Sequence, residues 1–272
     1  SVLERASARE TAARVMAGAL AKRLLRELGV EVAGHVISIG SFRVPPGVEG
    51  NPESALRAQS SPLRMADAAA EAEAIRWIDA LKEAGTTAGG VVEVIATGLP
   101  PGLGSCTAWD MRLDGRLGQA LMSIQAIKGV EIGGGRDLSS LPGNEALDEL
   151  FPGPSGRNLL MGGRALPFHR KTNRAGGLEG GMTNGEPLVA RAAMKPIPTQ
   201  QSPLRTVTLG GWKPAEAHRE RGDACAVPAA AVVAESMVAI VLADAFLEKF
   251  GGDALRDILY NYSNYLERIC GR

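Results

Sequence analysis

One stretch limits the architecture of this chain more than any other. From Ala224 to Ala243 the sequence has twenty residues and a single charge, Glu235. A run of this length can span a membrane, but Pro228, Glu235 and the many alanines make a poor span, and no bias of positive charge towards one end supports one. In a globular protein, a helix that is apolar on every side is buried on every side. We therefore predict a core helix that starts near Pro228, in a helical layer covered by sheets on both faces.

Further helices and strands are predicted around this run. Ser7 and Glu10 have the spacing of a capping box, at the start of a helix that ends at Gly29. Its apolar residues recur every four positions and predict one buried stripe, formed by Ala12, Met16, Leu20, Leu24 and Leu28. Residues 66–83 and 112–129 also have helical patterns, and strands are predicted at 35–40, around 92–94, after residue 187 and at 205–209. Residues 43–63 read as a surface loop, so the class is α+β.

The segment "RAGGLEGGMTNGEP", residues 174–187, has five glycines in fourteen residues. Glycine destabilises a fold unless the backbone needs a positive φ or a close neighbour. The segment matches neither the dinucleotide-binding nor the P-loop glycine pattern. We expect something to approach this loop closely.

Composition limits the classes of partner. The formal net charge is zero and the pI is about 6.8, which argues against nucleic acid or an anionic membrane as the main partner. The three cysteines, Cys106, Cys225 and Cys270, are far apart and form no metal-binding pair. A reducing compartment, the cytoplasm, is therefore expected, and no metal site is predicted.

Three places in the sequence have residues suited to binding an anionic ligand. Arg5, Ser7 and Arg9 surround a helix start, where free backbone N–H groups attract anions. "KPIPT" holds Lys195 and Thr199 on a loop stiffened by two prolines, which suits a phosphate ester. For both, an ordinary explanation remains open: a solvated helix start, and a turn with an exposed lysine.

The third place precedes the core helix. Arg221 and Asp223 lie there, and Asp223 suits a buried general acid or base. The alternative is a residue of the helix cap. His35, His169 and His218 are isolated in the sequence and are interpreted as structural.

Seven stretches together resemble chorismate synthase. They occur in that family's order and span the chain nearly end to end: "RASARETAARV", "GLPPGLGS", "SIQAIKGVEIG", "TNRAGGLEGGMTNGEP", "RAAMKPIPT", "GDACAVPAAAVVAESMVA" and "LEKFGGD". The resemblance implies a β-α-β sandwich with a buried helical layer between antiparallel sheets, and a homotetramer. It also implies reduced FMN as cofactor and the 1,4-elimination of phosphate from 5-enolpyruvylshikimate 3-phosphate, which gives chorismate for aromatic amino acid biosynthesis.

The resemblance also assigns roles to single residues. Those that correspond to flavin-binding positions are Arg5, Ala6, Ser7, Gln125, Ala126, Gly180, Lys195, Pro196, Ile197, Pro198, Thr199 and Arg221. Ser7, Arg9 and Arg221 resemble substrate-binding residues, and Asp223 resembles the acid near flavin N5. The glycine-rich loop is then expected to lie against the flavin and the substrate.

The chain departs from the family in one major respect. Family members begin with a long segment that carries a Gly-Glu-Ser-His-Gly motif and a second catalytic histidine, and neither histidine has a counterpart here. Residues 1–272 are therefore interpreted as a single domain, truncated at its N-terminus relative to the family. An alternative function stays open: a catalytically incomplete homologue or fragment that binds FMN or takes part in oligomer assembly.

Overall fold

The computed structural model describes residues 7–154, 156, 158–219 and 222–271. The helices are α1 (Thr11–Glu27), α2 (Pro52–Ala58), α3 (Ala68–Glu83), α4 (Leu113–Met122), α5 (Gly143–Ala146), α6 (Val227–Phe250) and α7 (Leu255–Cys270). The strands are β1 (Glu31–Ile39), β2 (Phe42–Arg43), β3 (Gly90–Thr97), β4 (Ile127–Ile132), β5 (Leu150–Pro152), β6 (Phe168–Arg170), β7 (Leu178–Glu179), β8 (Met182–Thr183), β9 (Leu188–Met194), β10 (Arg205–Val207) and β11 (Pro214–Glu216).

One antiparallel sheet and one long helix organise the fold. The sheet has five strands in the order β2-β1-β3-β9-β4, and α6 packs across β1 and β3. Gly34 on β1 allows this close contact, because a Cβ there would lie 2.7 Å from the carbonyl oxygen of Ala231. Helices α1 and α4 flank α6, and the other three sheets have two strands each. The predicted α+β class with antiparallel sheets is confirmed.

The apolar run forms the core helix, as predicted. α6 is long and apolar enough to cross a membrane, but 72% of its most apolar window is buried inside the structure. Its one interior charge is neutralised, because Glu235 accepts hydrogen bonds from the backbone of Gly34 at 2.8 Å and from Arg64 at 2.9 Å, and pairs with Lys22. Burial is not complete on every side, since Asp244, Leu247, Glu248 and Lys249 are exposed. α6 is thus the centre of the helical layer.

The stripe predicted for α1 is buried only at its C-terminal end, where Leu28 is buried and Leu24 packs against the core. Met16 and Leu20 are 67% and 76% exposed, whereas Gly18 and Leu25 are buried. Gly18 lies against Ser236 of α6, and a Cβ at residue 18 would lie 2.3 Å from the Cβ of Ser236. Close packing of two backbones through small residues therefore sets the buried face of the first half of α1, and Met16 and Leu20 point outward.

Two other sequence predictions need correction. The helix predicted over 112–129 ends at Met122, because Ala126 takes a left-handed conformation with φ of 66° and the chain continues as strand β4. The loop predicted over 43–63 contains α2, which packs on the sheet face opposite α6. Ala55 on α2 forms a small second core there with Ala33, Ile95 and Val189.

The glycine-rich loop packs against the protein's own backbone. A Cβ on Gly176 would lie 2.3 Å from the nitrogen of Gly133, and one on Gly177 would lie 2.6 Å from the carbonyl oxygen of Pro187. The carboxylate of Asp148 holds the start of the loop, accepting hydrogen bonds from the backbone nitrogens of Arg174 and Ala175 at 2.9 and 2.8 Å. The close approach predicted from the glycines is confirmed, and in this chain the neighbour is backbone.

A buried charged ladder crosses the face of the sheet that α2 covers. His35, Glu93 and Arg191 are cross-strand neighbours on β1, β3 and β9, and each contact with Glu93 measures 2.8 Å. An ionised carboxylate only accepts hydrogen bonds, so His35 carries its proton on Nε2. Burial alone would raise the pKa of Glu93, but the hydrogen bond from His35 and the charge of Arg191 lower that pKa below its ordinary value.

Glu93→Gln is expected to destabilise the fold by about 2 kcal/mol at neutral pH, because it removes the carboxylate between buried His35 and half-buried Arg191 and leaves Arg191 only the more distant Glu49, at 3.7 Å. A carboxyl whose pKa is lowered in the folded state stabilises the fold above its unfolded pKa, and that contribution disappears as the pH falls. The difference in unfolding free energy between wild type and variant should therefore shrink below about pH 4.5. Urea denaturation curves, monitored by circular dichroism at several pH values, measure this difference. The control is Glu131→Gln on β4, whose side chain is exposed; an equal loss in both variants would contradict the assignment.

Candidate active site

The candidate site lies at the edge of the main sheet where β9 ends. Met194, the last residue of β9, pairs with Gly90 on β3 and with Ile127 on β4. The chain then continues into Lys195–Thr199, and the backbone nitrogen of Lys195 donates to the carbonyl oxygen of Ala126 at 2.9 Å. Sheet pairing thus brings the "KPIPT" loop against the turn between α4 and β4.

The residues just before β3 hold this loop in place. Thr87 donates its hydroxyl to the carbonyl oxygen of Ile197 at 2.7 Å, and Thr86 donates to the side-chain oxygen of Gln200 at 2.8 Å. Gly89 has no side chain because a Cβ there would lie 2.5 Å from the carbonyl oxygen of Met194. Pro196 and Pro198 fix two of the loop's φ angles. The backbone of the loop is therefore held in place, with Lys195 exposed at its start and Thr199 half-buried at its end.

Asp223 comes to the same place from the start of α6. The backbone nitrogen of Ala88 donates to the carbonyl oxygen of Ala224 at 2.7 Å, which holds residues 222–225 beside the loop. Asp223 and Thr199 line one cavity of about 340 Å³, together with Cys225. Its other lining residues are Leu63, Ile78, Asp79, Lys82, Gly85, Thr86, Thr87, Gln200, Gln201, Gly222, Ala224 and Pro228.

The charges around this cavity are mixed, because Asp79 and Asp223 line it together with Lys82 and the start of α6. Pro228 lies in the first turn of α6, so the positive end of a 24-residue helix dipole is at the cavity wall. Burial raises the pKa of the Cys225 thiol above its ordinary value. Because a thiol must lose its proton to be an effective nucleophile, Cys225 acts here as a small apolar wall residue.

The start of α1 meets the site through Gln125. The Ser7 hydroxyl accepts a hydrogen bond from the backbone nitrogen of Arg9 at 3.3 Å. The carboxylate of Glu10 accepts from the Gln125 amide at 2.6 Å and pairs with Arg14 at 2.7 Å. This network ties the start of α1 to the turn that contacts Lys195.

Ala126, at that turn, has an unusual backbone conformation. Its φ of 66° lies in the left-handed region, where residues other than glycine, asparagine and aspartate are uncommon. Such strain persists only where the surrounding structure enforces it, and it concentrates at functional sites. The hydrogen bond from Lys195 to the Ala126 carbonyl is part of that enforcement.

The structure brings most of the predicted site residues to this edge of the sheet. They are Ser7, Gln125, Ala126, Lys195, Pro196, Ile197, Pro198, Thr199 and Asp223, with Arg9 exposed beside them. Arg5, Ala6 and Arg221 lie outside the described residues.

Gly180 is not brought to this edge within the chain. It lies at the tip of the β7–β8 hairpin, and the neighbouring Gly181 accepts a hydrogen bond from Leu113 at the start of α4. Gln125 follows the other end of that ten-residue helix, roughly 15 Å away along its axis.

Other functional candidates escaped the sequence reasoning. Asp79 and Lys82 on α3, and the hydroxyls of Thr86 and Thr87, line or support the cavity. The sequence feature that could have predicted the role of these threonines is the pair Gly89-Gly90, because it follows them directly and indicates that another backbone segment lies close by.

The histidines of the chain have other surroundings. His35 lies in the buried ladder, and Nδ1 of His169 contacts the carbonyl oxygen of Gly153 at 2.9 Å while its ring stacks on Phe151. Neither they nor exposed His218 line the cavity, and the described residues contain no cluster of three or more potential metal ligands. Asp223 is thus the acid–base candidate of this site, although it is exposed at the cavity and not buried as the sequence suggested.

Comparisons with known proteins give the family. A sequence model described as chorismate synthase matches residues 1–247. The chain belongs to the chorismate synthase family. The chorismate synthase of Trichlorobacter lovleyi is 53% identical over 266 residues, which cover 98% of this chain and 67% of that protein. The chorismate synthase of Nocardia farcinica is 54% identical over 273 residues, which cover 100% of this chain and 65% of that protein.

A solved structure agrees with the family assignment. A crystal structure of chorismate synthase matches with a TM-score of 0.79 at 42% sequence identity, over 97% of this chain and 70% of that one. The predicted family is confirmed, and with it the class of enzyme, a lyase of aromatic amino acid biosynthesis. The chain spans about two thirds of the length of the chorismate synthases it matches.

Proposed function

We propose that this chain provides the flavin-binding part of a chorismate synthase, which converts 5-enolpyruvylshikimate 3-phosphate to chorismate with reduced FMN. The observation that carries the proposal is the meeting of three features in a member of this family. These are the rigid loop Lys195–Thr199, the strained turn at Ala126 and the acid Asp223, all at one edge of the sheet.

The residues present suit a phosphate-bearing flavin. The cavity of about 340 Å³ is within the size range of small-molecule sites. Lys195 and Thr199 offer an ammonium and a hydroxyl to a phosphate, and the positive end of α6 adds to the attraction. In the proposal, Ser7, Gln125 and Ala126 also hold the cofactor. Arg5, Ala6, Gly180 and Arg221 join them on the family resemblance alone.

The proposed chemistry divides into binding and proton transfer. Ser7, Arg9 and Arg221 hold the anionic substrate, since guanidinium groups suit phosphate and carboxylate oxygens. The substrate loses phosphate and one proton, with no net change in oxidation state. Bound reduced FMN supplies an electron transiently to assist that elimination. Asp223 holds or moves a proton at flavin N5, which a carboxyl group at the cavity wall is suited to do.

The proposed enzyme needs more than this chain. The chain aligns with about two thirds of each relative, and we interpret it as one domain of which the family has a further part. The exposed Met16 and Leu20 support this, because the resemblance implies a sheet on each face of the helical layer. We also infer a homotetramer in the cytoplasm, without nucleic acid or membrane as partner. The three cysteines are free, which is consistent with a reducing compartment.

Lys195→Ala tests the proposed FMN site. A charged hydrogen bond contributes about 1.5–3 kcal/mol, so the variant should bind FMN roughly 10- to 150-fold more weakly. Fluorescence titration under anaerobic conditions measures the dissociation constant. Lys213→Ala is the matched control, because Lys213 is also exposed but lies between β10 and β11, outside the loop Lys195–Thr199. FMN affinity unchanged in Lys195→Ala would remove this lysine from the site, and no FMN binding by the wild type would refute the proposal.

A further inference from the structure

A second cavity lies at the far end of the core helix. Its volume is about 610 Å³ and its lining residues are Lys249, Phe250, Asn261, Asn264, Tyr265 and Arg268. Lys249 is 21 residues beyond Pro228 on the same helix, about 30 Å from the candidate active site. The family match ends at residue 247, before any of these residues. Nothing in the proposed reaction uses this cavity.

The cavity has cations and no carboxylate in its lining. Lys249 and Arg268 form no ion pair within residues 7–154, 156, 158–219 and 222–271. Both lie over the ring of Tyr265, with Nζ of Lys249 4.8 Å and Cζ of Arg268 5.6 Å from its centre. One ring can stabilise each cation, but two like charges on the same ring repel each other. An anion between them would relieve that repulsion.

The other lining groups complete a set of hydrogen-bond donors. The Asn264 side chain makes no hydrogen bond to any other described residue, so its amide is available to a ligand. The Asn261 amide donates to the carbonyl oxygen of Phe250 at 2.7 Å and retains a second N–H. From these contacts we infer that the cavity between α6 and α7 is a binding site for a phosphate group.

The protonation of Lys249 provides a way to detect the ligand. Burial, and then the positive charge of Arg268, lower the pKa of Lys249 below its ordinary value. More of its amine is therefore free to react with an acylating reagent. A phosphate bound beside it would favour the charged ammonium and also block access.

The experiment measures the rate at which limiting acetic anhydride acetylates Lys249, followed by mass spectrometry of peptides. Inorganic phosphate and phenyl phosphate are compared with sodium chloride at equal ionic strength, because salt alone screens charges. We expect one or both phosphates to slow acetylation of Lys249 several-fold and to leave exposed Lys128 unchanged. Protection by inorganic phosphate indicates that the free ion suffices, and protection by phenyl phosphate alone indicates a phosphate ester.

Variants separate a site from a general surface effect. Arg268→Gln should abolish the protection, whereas Arg256→Gln should keep it, because Arg256 is exposed on the same helix and lies beside Asp257. Asn264→Asp places a carboxylate in the cavity, which should favour the charged form of Lys249 and slow its acetylation even without phosphate. If one of the two variants fails to fold, the other still tests the inference. Equal rates for Lys249 in phosphate, phenyl phosphate and chloride would overturn the inference.

Discussion

The 272-residue chain on its own is expected to form no measurable chorismate from 5-enolpyruvylshikimate 3-phosphate, even with reduced FMN. Each of the family's two catalytic histidines is worth about 10²- to 10⁴-fold if it acts as a general acid or base. The histidines present do not replace them, since His35 is buried in the sheet, His169 packs on Phe151 and exposed His218 does not line the cavity. An anaerobic assay that follows chorismate by its absorbance makes the measurement.

A fusion provides the positive control for that assay. In it, this chain is joined to the part of the Trichlorobacter lovleyi enzyme that lies outside the aligned region, about one third of that protein. The fusion should regain turnover, because the site described above would then have its missing proton-handling groups. Turnover by the unfused chain at a rate near that of the intact relative would show that other residues can replace the histidines.

In the same fusion, Asp223→Asn is expected to reduce turnover about 10²-fold or more, with nearly unchanged binding of FMN and substrate. The asparagine keeps the shape of the side chain and one hydrogen-bonding oxygen but cannot titrate. Loss of a proton-transfer group at a formed site lowers kcat while binding remains. Steady-state kinetics and FMN titration on the same preparation separate the two effects.

Asp253→Asn is the control for this substitution, because Asp253 is exposed beyond the far end of α6. Normal turnover in Asp223→Asn would mean that the residue serves only the start of the core helix. Loss of FMN binding together with loss of helical signal would assign it a structural role.

The fold was predictable where local pattern and tertiary packing agree. In a globular protein the apolar run of α6 has to be buried as a helix, and it forms the core helix. The stripe of α1 was wrong at Met16 and Leu20, because the contact of that half of the helix with α6 depends on the small residues Gly18 and Ser236, which hydrophobic periodicity does not take into account. Helix α7 was not predicted, although its buried Ile258, Tyr262 and Leu266 recur every four residues.

The site was predictable in its parts and not in its assembly. The residues of Lys195–Thr199 were found from proline spacing and from the family resemblance. Their neighbours were not, since pairing of Met194 with Gly90 and Ile127 joins segments about 65 to 105 residues apart. Support from Thr86, Thr87 and Glu10 exists only once those strands pair.

Hydrogen exchange with and without reduced FMN tests the central claim most directly, namely that the chain binds the cofactor at this edge of the sheet. Mass spectrometry of peptides should show slower exchange in segments 86–90, 123–127 and 195–200 when FMN is present. Peptides that contain the buried ladder of His35 and Glu93 should be unchanged. Protection confined to other segments, or no protection anywhere at an FMN concentration that saturates an intact relative, would contradict the account.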